Sequence, residues 1–362
     1  MSDNESFNGS WTIQDARNLY NIRRWGAKYY DINEEGHIIS MPLQEAGVQV
    51  DLTDVIEEAH ERGLKFPLLI RFQDILRHRV EAINIAFRNS IEEYDYQGIY
   101  RGVFPIKVNQ LREVVEEILD AGKPYNFGLE IGSKPELFAA LALQSHPGDL
   151  IICNGYKDAG FIKMALLGRK LGKTIILVVE KLEELHNIIS ISRQLNVEPI
   201  IGIRIRLLSK GAGKWADSAG ENAKFGLSPI ELLEAIQTLK DEKLEHCLQL
   251  LHFHIGSQVP DILTIKRAVQ EASRFYAKLY KMDFKIQYID VGGGLGVDYD
   301  GSRSAFDSST NYTLQEYTDD IVYYMANICN AEKVPHPDII SESGRSIVAY
   351  HSVLVLEVFG AI

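Results

Sequence analysis

Lys107 stands in Val103-Phe104-Pro105-Ile106-Lys107-Val108-Asn109, a single ammonium among mostly apolar residues. Desolvation there would lower its pKa and make it the nucleophile that Schiff-base chemistry needs. The alternative is a lysine whose stem lies on apolar neighbours while its head reaches water. Gly292-Gly293-Gly294-Leu295-Gly296 follows an apolar run ending at Val291. Such glycines let backbone N–H groups curl into an anion-binding nest, or make an ordinary tight turn. A dinucleotide fingerprint is not met, because Val297 occupies the place of its last glycine. Glu342-Ser343-Gly344-Arg345 offers a carboxylate for a cationic ring nitrogen and a guanidinium for phosphate, or a surface ion pair of little energetic weight. His252 and His254 alternate with Leu251, Phe253 and Ile255, so both imidazoles share one strand face. His252 reads as a satisfied core histidine. His254, beside Gly256 and Ser257, reads as a ring that stacks on a planar cofactor. Arg204 and Arg206 also share a face, and an inward arginine needs an anionic partner.

These residues need elements that bring them together. Apolar strand patterns occur at 99–106, 125–130, 150–153, 174–179, 200–206, 248–253, 287–291 and 338–341. Helical periodicity is found at 110–121, 158–171, 181–195, 228–239, 261–281 and 314–331, and at 51–62 and 72–94 ahead of the first strand of the series. Strands alternating with helices predict a parallel α/β sheet. Eight strands, with Lys107, Glu130, Asn154, Arg204, His254, Gly292 to Gly294, Glu342 and Arg345 at or after their carboxyl ends, favour a closed (β/α)8 barrel over an open doubly wound sheet. The helix at 72–94 is placed to close the ring from outside. Residues 1–70 are irregular, with short antiparallel strands expected around the Glu35-Gly36 turn and His37 to Met41. Residues 71–345 form the barrel. Residues 346–362 read as a long β segment opening a second, incomplete β domain.

Composition limits the function. Lys+Arg of 38 against Asp+Glu of 50 gives a net charge of -12, which opposes binding to nucleic acid. A cationic small substrate would be attracted, although mild acidity also serves solubility. Cys153, Cys247 and Cys329 are far apart, which fits a reducing compartment without a disulfide framework. The polar start MSDNESFNGS lacks an apolar signal core, and no run reaches the ~20 apolar residues of a membrane span. A soluble cytoplasmic protein is the expectation.

A nucleophilic lysine, an anion nest, an arginine, a carboxylate and a flat side chain are together what pyridoxal 5'-phosphate requires. The sequence resembles the pyridoxal phosphate decarboxylases of the alanine racemase fold, and most closely the biosynthetic arginine decarboxylases. The resemblance covers essentially the whole chain. It is carried by YRGVFPIKVNQ around Lys107, FGLEIGSKPEL around Glu130, ICNGYKD at Cys153, WADSAGENAKFGL from Trp215, HFHIGSQ around His254, DVGGGLGVDYD from Asp290 and SESGRSIVAYH from Glu342. The lysine context and the SAGENAKFGL segment set it apart from ornithine and diaminopimelate decarboxylases.

The resemblance implies a TIM-like barrel of the alanine racemase type, with a partial β domain from the N-terminal segment and the chain end. It implies that Lys107 holds the cofactor as a Schiff base and that Glu342 keeps the pyridine nitrogen protonated. His254 would stack on the ring. Gly292, Gly293, Gly294, Ser257, Gly344 and Arg345 would hold the phosphate, with Glu130 and Arg204 orienting cofactor and lysine. The implied reaction is decarboxylation of L-arginine to agmatine, a polyamine precursor, in a homodimer or larger homo-oligomer. Magnesium dependence follows from resemblance alone. Glu342 argues against a racemase, which places an arginine at that nitrogen. The family's C-terminal β domain carries a cysteine motif that supplies a catalytic acid, and no cysteine here has that context. A cofactor-binding carrier or regulatory protein without decarboxylase activity is therefore the alternative.

Overall fold

The computed structural model describes residues 10–144, 146, 148–208 and 224–360. Eight strands form a closed, all-parallel ring: β1 (Tyr100–Pro105), β2 (Gly128–Ile131), β3 (Leu150–Cys153), β4 (Thr174–Val179), β5 (Ile200–Arg204), β6 (Leu248–His252), β7 (Tyr288–Asp290) and β8 (Asp338–Glu342). Closure comes from β8 pairing with β1, from Ile339↔Tyr100 to Glu342↔Val103. The open-sheet alternative is thereby excluded.

The strands are apolar on both faces because each face meets a different core. Val103, Leu150, Ile152, Ile176, Val178, Leu250 and Ile340 belong to one cluster, in the barrel interior. Their sequence neighbours, among them Phe104, Ile151, Ile175, Leu177, Leu251 and Ile339, belong to the cluster beneath the helices. Each fully buried aliphatic side chain contributes roughly 1.5–3 kcal/mol. Gly128 and Gly202 stand where a neighbouring strand leaves no room for a side chain. A Cβ on Gly128 would lie 2.2 Å from the Leu150 carbonyl oxygen, and one on Gly202 would lie 2.8 Å from Leu250 Cδ2.

The helix Gln73–Glu93 packs against the helices Arg112–Gly122 and Leu314–Glu332, so it completes the outer layer as its position in the sequence suggests. The helix Lys134–Leu143 is absent from the periodicity. Its sequence KPELFAALAL is apolar nearly all round, so no face stands out. Strand limits also differ locally. Pro105 cannot donate to a ladder, and the chain turns at once into the 3₁₀ segment Ile106–Val108 that carries Lys107. Lys123–Tyr125 is another 3₁₀ turn, with Pro124 near its start, so β2 begins at Gly128.

Before the barrel, Tyr30–Ile32, Ile38–Ser40 and Val50–Asp51 form an antiparallel sheet. Tyr29, Tyr30, Ile32 and Ile22 pack there on Ile75 of the helix Gln73–Glu93. The long β segment expected from Ile347 onward is not observed. Arg345–Val348 is a short helix, and only Ser352–Val355 is a strand, paired antiparallel with Leu68–Arg71. The chain turns immediately after β8 because Gly344 is pressed against the lysine turn. A Cβ there would lie 2.6 Å from Val108 Cγ2. No described helix is long and apolar enough to cross a membrane.

Candidate active site

Side chains alternate along a strand, so every second residue of each barrel strand faces inward. Continuing the interior positions Val103, Ile152, Val178, Leu250, Tyr288 and Ile340 by steps of two leads to Lys107, Asn154, Glu180, His252 and His254, Asp290, and Glu342. The same steps from Gly128 and Gly202 lead to Glu130 and Arg204. These residues converge at the carboxyl mouth around a cavity of about 450 Å³. Asp290 lies under its floor, and the others line it, together with Ser257, Gly293, Gly294, Gly344, Arg345 and Phe225.

Lys107 Nζ donates to Glu130 Oε2 at 2.8 Å, and the lysine side chain is 54% exposed to the mouth while Glu130 is buried. Burial is the largest single influence on this ammonium and lowers its pKa. Glu130, Glu342 and Glu136 together outweigh it, so the net displacement is upward. This corrects the expectation of a lowered pKa, which weighs desolvation alone and not the charges of Glu130 and Glu342 at the same mouth. Asn154 Nδ2 then donates to both Glu130 Oε1 and Glu342 Oε1, joining the carboxylate beside the lysine to the one at the end of β8.

Glu342, His252 and Asp290 form a buried group. Burial first, and then the neighbouring Asp290 charge, push Glu342 well above the usual carboxylate range. Burial raises Asp290 to about 7. His252 Nδ1 lies 3.2 Å from Asp290 Oδ2 and 3.9 Å from Glu342 Oε1. Neither ring nitrogen of His252 has a hydrogen-bond partner among the described residues, so it is not the satisfied core histidine expected from sequence. Burial holds it in the neutral form.

His254 is also held neutral, well below its ordinary pKa, by burial and by the positive charge of Arg204. Its Nδ1 accepts from the Gly256 N–H at 3.1 Å, which assigns the ring proton to Nε2. A Cβ on Gly293 would lie 3.1 Å from that Nε2, so glycine keeps the space beside the imidazole open. Gly292 adopts φ +68° and donates its N–H to Asp290 Oδ1 at 2.8 Å. It therefore supports the turn from below, leaving Gly293 and Gly294 at the cavity surface. Arg345 Nη2 donates to Ser257 Oγ at 2.8 Å, closing this side of the mouth. Arg204 finds its anion in Glu180, at 3.2 Å from Nη1. Arg206 donates to the Gly226 carbonyl, lies 4.0 Å from Glu231 Oε2 and does not line the cavity.

Glu180, Asp290 and Phe225 were not singled out by residue type. The signal that finds the first two is the step of two from the interior positions. Phe225, under the Arg204 guanidinium at 5.9 Å, carries no such signal. The part of the WADSAGENAKFGL segment from Trp215 to Ala223 lies outside the described residues.

The donor set fits pyridoxal phosphate. An amine, a buried carboxylate, an imidazole face and an arginine–serine–glycine rim surround one cavity of suitable size. Each of the three groups of described residues that could hold a metal contains a histidine, whereas Mg²⁺ takes oxygen ligands, so none of them favours magnesium.

Residues 80–349 match the family described as pyridoxal-dependent decarboxylase, pyridoxal binding domain. The biosynthetic arginine decarboxylase of Phocaeicola vulgatus is 51% identical over 349 residues, 96% of this chain and 55% of that protein. The one from Bacteroides thetaiotaomicron is 50% identical, with the same coverage of 96% and 55%. A crystal structure of the biosynthetic arginine decarboxylase from Campylobacter jejuni matches with a TM-score of 0.83 at 36% identity, over 92% of this chain and 54% of that one. The chain spans about half the length of the curated relatives it matches. The match over residues 80–349 shows that the chain belongs to the pyridoxal-dependent decarboxylases, whose pyridoxal-binding domain it carries.

Proposed function

We propose that this chain is the cofactor-binding part of an arginine decarboxylase, which converts L-arginine to agmatine and carbon dioxide. The observation that carries the choice of substrate is the identity of 51% and 50% to proteins of that name over nearly the whole chain. A homodimer or larger homo-oligomer and a cytoplasmic setting belong to the same reading.

When bound, pyridoxal phosphate supplies a conjugated ring that takes up the electron pair left on the α-carbon as carbon dioxide departs. The protein's residues position and charge that ring. Lys107 would bond to the aldehyde carbon, and Glu130 and Asn154 fix the direction of its amine. Ser257, Arg345, Gly344 and the Gly293-Gly294 backbone, supported by Gly292, would hold the phosphate. Burial pushes Glu342 toward its protonated form, and it would share that proton with the ring nitrogen. Neutral His254 would lie against the ring without adding a competing positive charge. Arg204, tied to Glu180, keeps the far wall of the cavity in place. An incoming arginine cation is favoured by the acidic balance of the chain.

The test is to load the purified chain with pyridoxal phosphate, trap the adduct with borohydride and map it. Carbon dioxide release is then measured from arginine, ornithine, lysine and diaminopimelate. The adduct is expected on Lys107, with arginine preferred. Absence of a trapped adduct on Lys107 overturns the cofactor assignment, and preference for another of the four overturns the substrate.

A further inference from the structure

The amino-terminal ends of β5 and β6, opposite the cavity, gather a second set of donor atoms. Glu198 lies two residues before β5. His246 and Cys247 lie in the 3₁₀ turn Glu245–Cys247 that leads into β6. The two strands pair in parallel through Leu248↔Ile201, which brings the turns side by side. His246 Nε2 is 3.1 Å from Glu198 Oε2 and 3.6 Å from Cys247 Sγ. All three donor atoms lie within 4.8 Å of one another. Arg169 Nε donates to the Glu198 carbonyl oxygen at 2.9 Å and fixes that turn.

One imidazole nitrogen thus faces a carboxylate oxygen and a sulfur. Hydrogen bonding serves this poorly, because Nε2 offers either a proton to Glu198 or a lone pair to the thiol. A nucleophile–base–orienter triad uses the two ring nitrogens separately, whereas here both neighbours meet the same one. A cation between the three donors takes a lone pair from each. Tetrahedral zinc, with bonds of ~2.3 Å to sulfur and ~2.0–2.2 Å to nitrogen and oxygen, requires edges of about 3.6 Å for S···N and about 3.4 Å for N···O. The structure has 3.6 Å and 3.1 Å. Three protein donors leave a fourth position for water.

We propose that Glu198, His246 and Cys247 form a site for Zn²⁺ or a similar thiophilic divalent cation, clipping together the turns before β5 and β6. Glu198 and His246 are exposed and admit the ion, and buried Cys247 anchors it from below.

The test uses the cofactor-loaded protein and Co²⁺ as a spectroscopic probe. One equivalent of Co²⁺ should bind with a sulfur-to-cobalt charge-transfer band, be displaced by Zn²⁺, and Zn²⁺ should raise Tm. Cys247→Ser should remove the band. His246→Ala and Glu198→Gln, at exposed positions, should each weaken Zn²⁺ binding about tenfold or more, with the cofactor absorbance unchanged. The Glu35, His37 and Asp51 group contains no sulfur, so ions held there give no such band. Lack of stoichiometric binding, a band that survives Cys247→Ser, or an affinity indifferent to His246→Ala overturns the site.

Discussion

Lys157 Nζ and Glu184 Oε2 lie 3.3 Å apart with both side chains buried. The pair is a strut behind the cavity. Glu184 accepts the Lys157 N–H and the Glu180 N–H, Glu180 accepts the Gly155 N–H, and the Glu180 carboxylate holds Arg204. The loops after β3 and β4 are thereby locked to a side chain of β5. Lys157→Met leaves Glu184 charged and unpaired in the interior, at an expected cost of about 3–5 kcal/mol. Adding Glu184→Gln removes that charge and keeps an acceptor for a backbone N–H, so it should recover part of the loss. Urea unfolding of both variants checks this. A single variant as stable as the parent would show that the strut bears no weight.

Glu130 should set the basicity of Lys107. Burial alone would lower this ammonium, and the carboxylates around it reverse the sign. Glu130→Gln removes the nearest charge, so the lysine pKa should fall while the cavity keeps its shape. The pH dependence of amine labelling in cofactor-free protein reports it. Lys107→Ala should abolish the visible absorbance of bound cofactor and the borohydride-trapped adduct. An unchanged labelling profile in Glu130→Gln would mean that solvent at the mouth screens the pair.

Much of the barrel is legible in the sequence because a strand buried on both faces must be apolar, as the strand Thr174–Val179 is after its first residue. The site is legible because polar residues that interrupt such runs have nowhere to point but the mouth. Lys107, Glu130, Arg204 and Glu342 are visible in this way. Pairing is not legible. That Glu130 faces Lys107 and Glu180 faces Arg204 depends on which strands are neighbours and on their register. The same holds for His252, whose approach to Asp290 and Glu342 depends on strands other than its own. The helix Lys134–Leu143 is hidden by its uniform apolarity, and the turn at Gly344 by a close approach between segments more than 200 residues apart.

Arg345 and Gly293 should act on cofactor affinity by different routes. Arg345→Ala removes a guanidinium hydrogen-bonded to Ser257, and charge-assisted contacts of this kind contribute roughly 1.5–3 kcal/mol. The Kd for pyridoxal phosphate should rise by about tenfold to a hundredfold, and the Kd for pyridoxal, which lacks phosphate, should move little. Gly293→Ala places a Cβ 3.1 Å from His254 Nε2, so the imidazole must shift. Both forms of the cofactor should then weaken. Equal losses for the two forms in Arg345→Ala would count against a phosphate role.

Asp290 gives the pH prediction, and its sign follows from burial. Its pKa in the folded protein is about 7, against 3.8 for an unperturbed carboxyl. Between those values the folded chain holds a proton that the unfolded chain has released, so this group's contribution to stability falls as pH rises from about 4 to about 7. The loss at full ionisation is on the order of 4 kcal/mol. His252, held neutral by burial, contributes the opposite slope below its ordinary pKa, and it is common to both proteins in the comparison. Asp290→Asn should therefore lose less stability than the parent across that window. Glu342 adds to the difference, since the Asp290 charge is the second cause of its own upward displacement. Tm measured against pH without cofactor is the check. Parallel curves for parent and variant would mean that Asp290 is ionised in the folded protein, with His252 carrying the balancing proton.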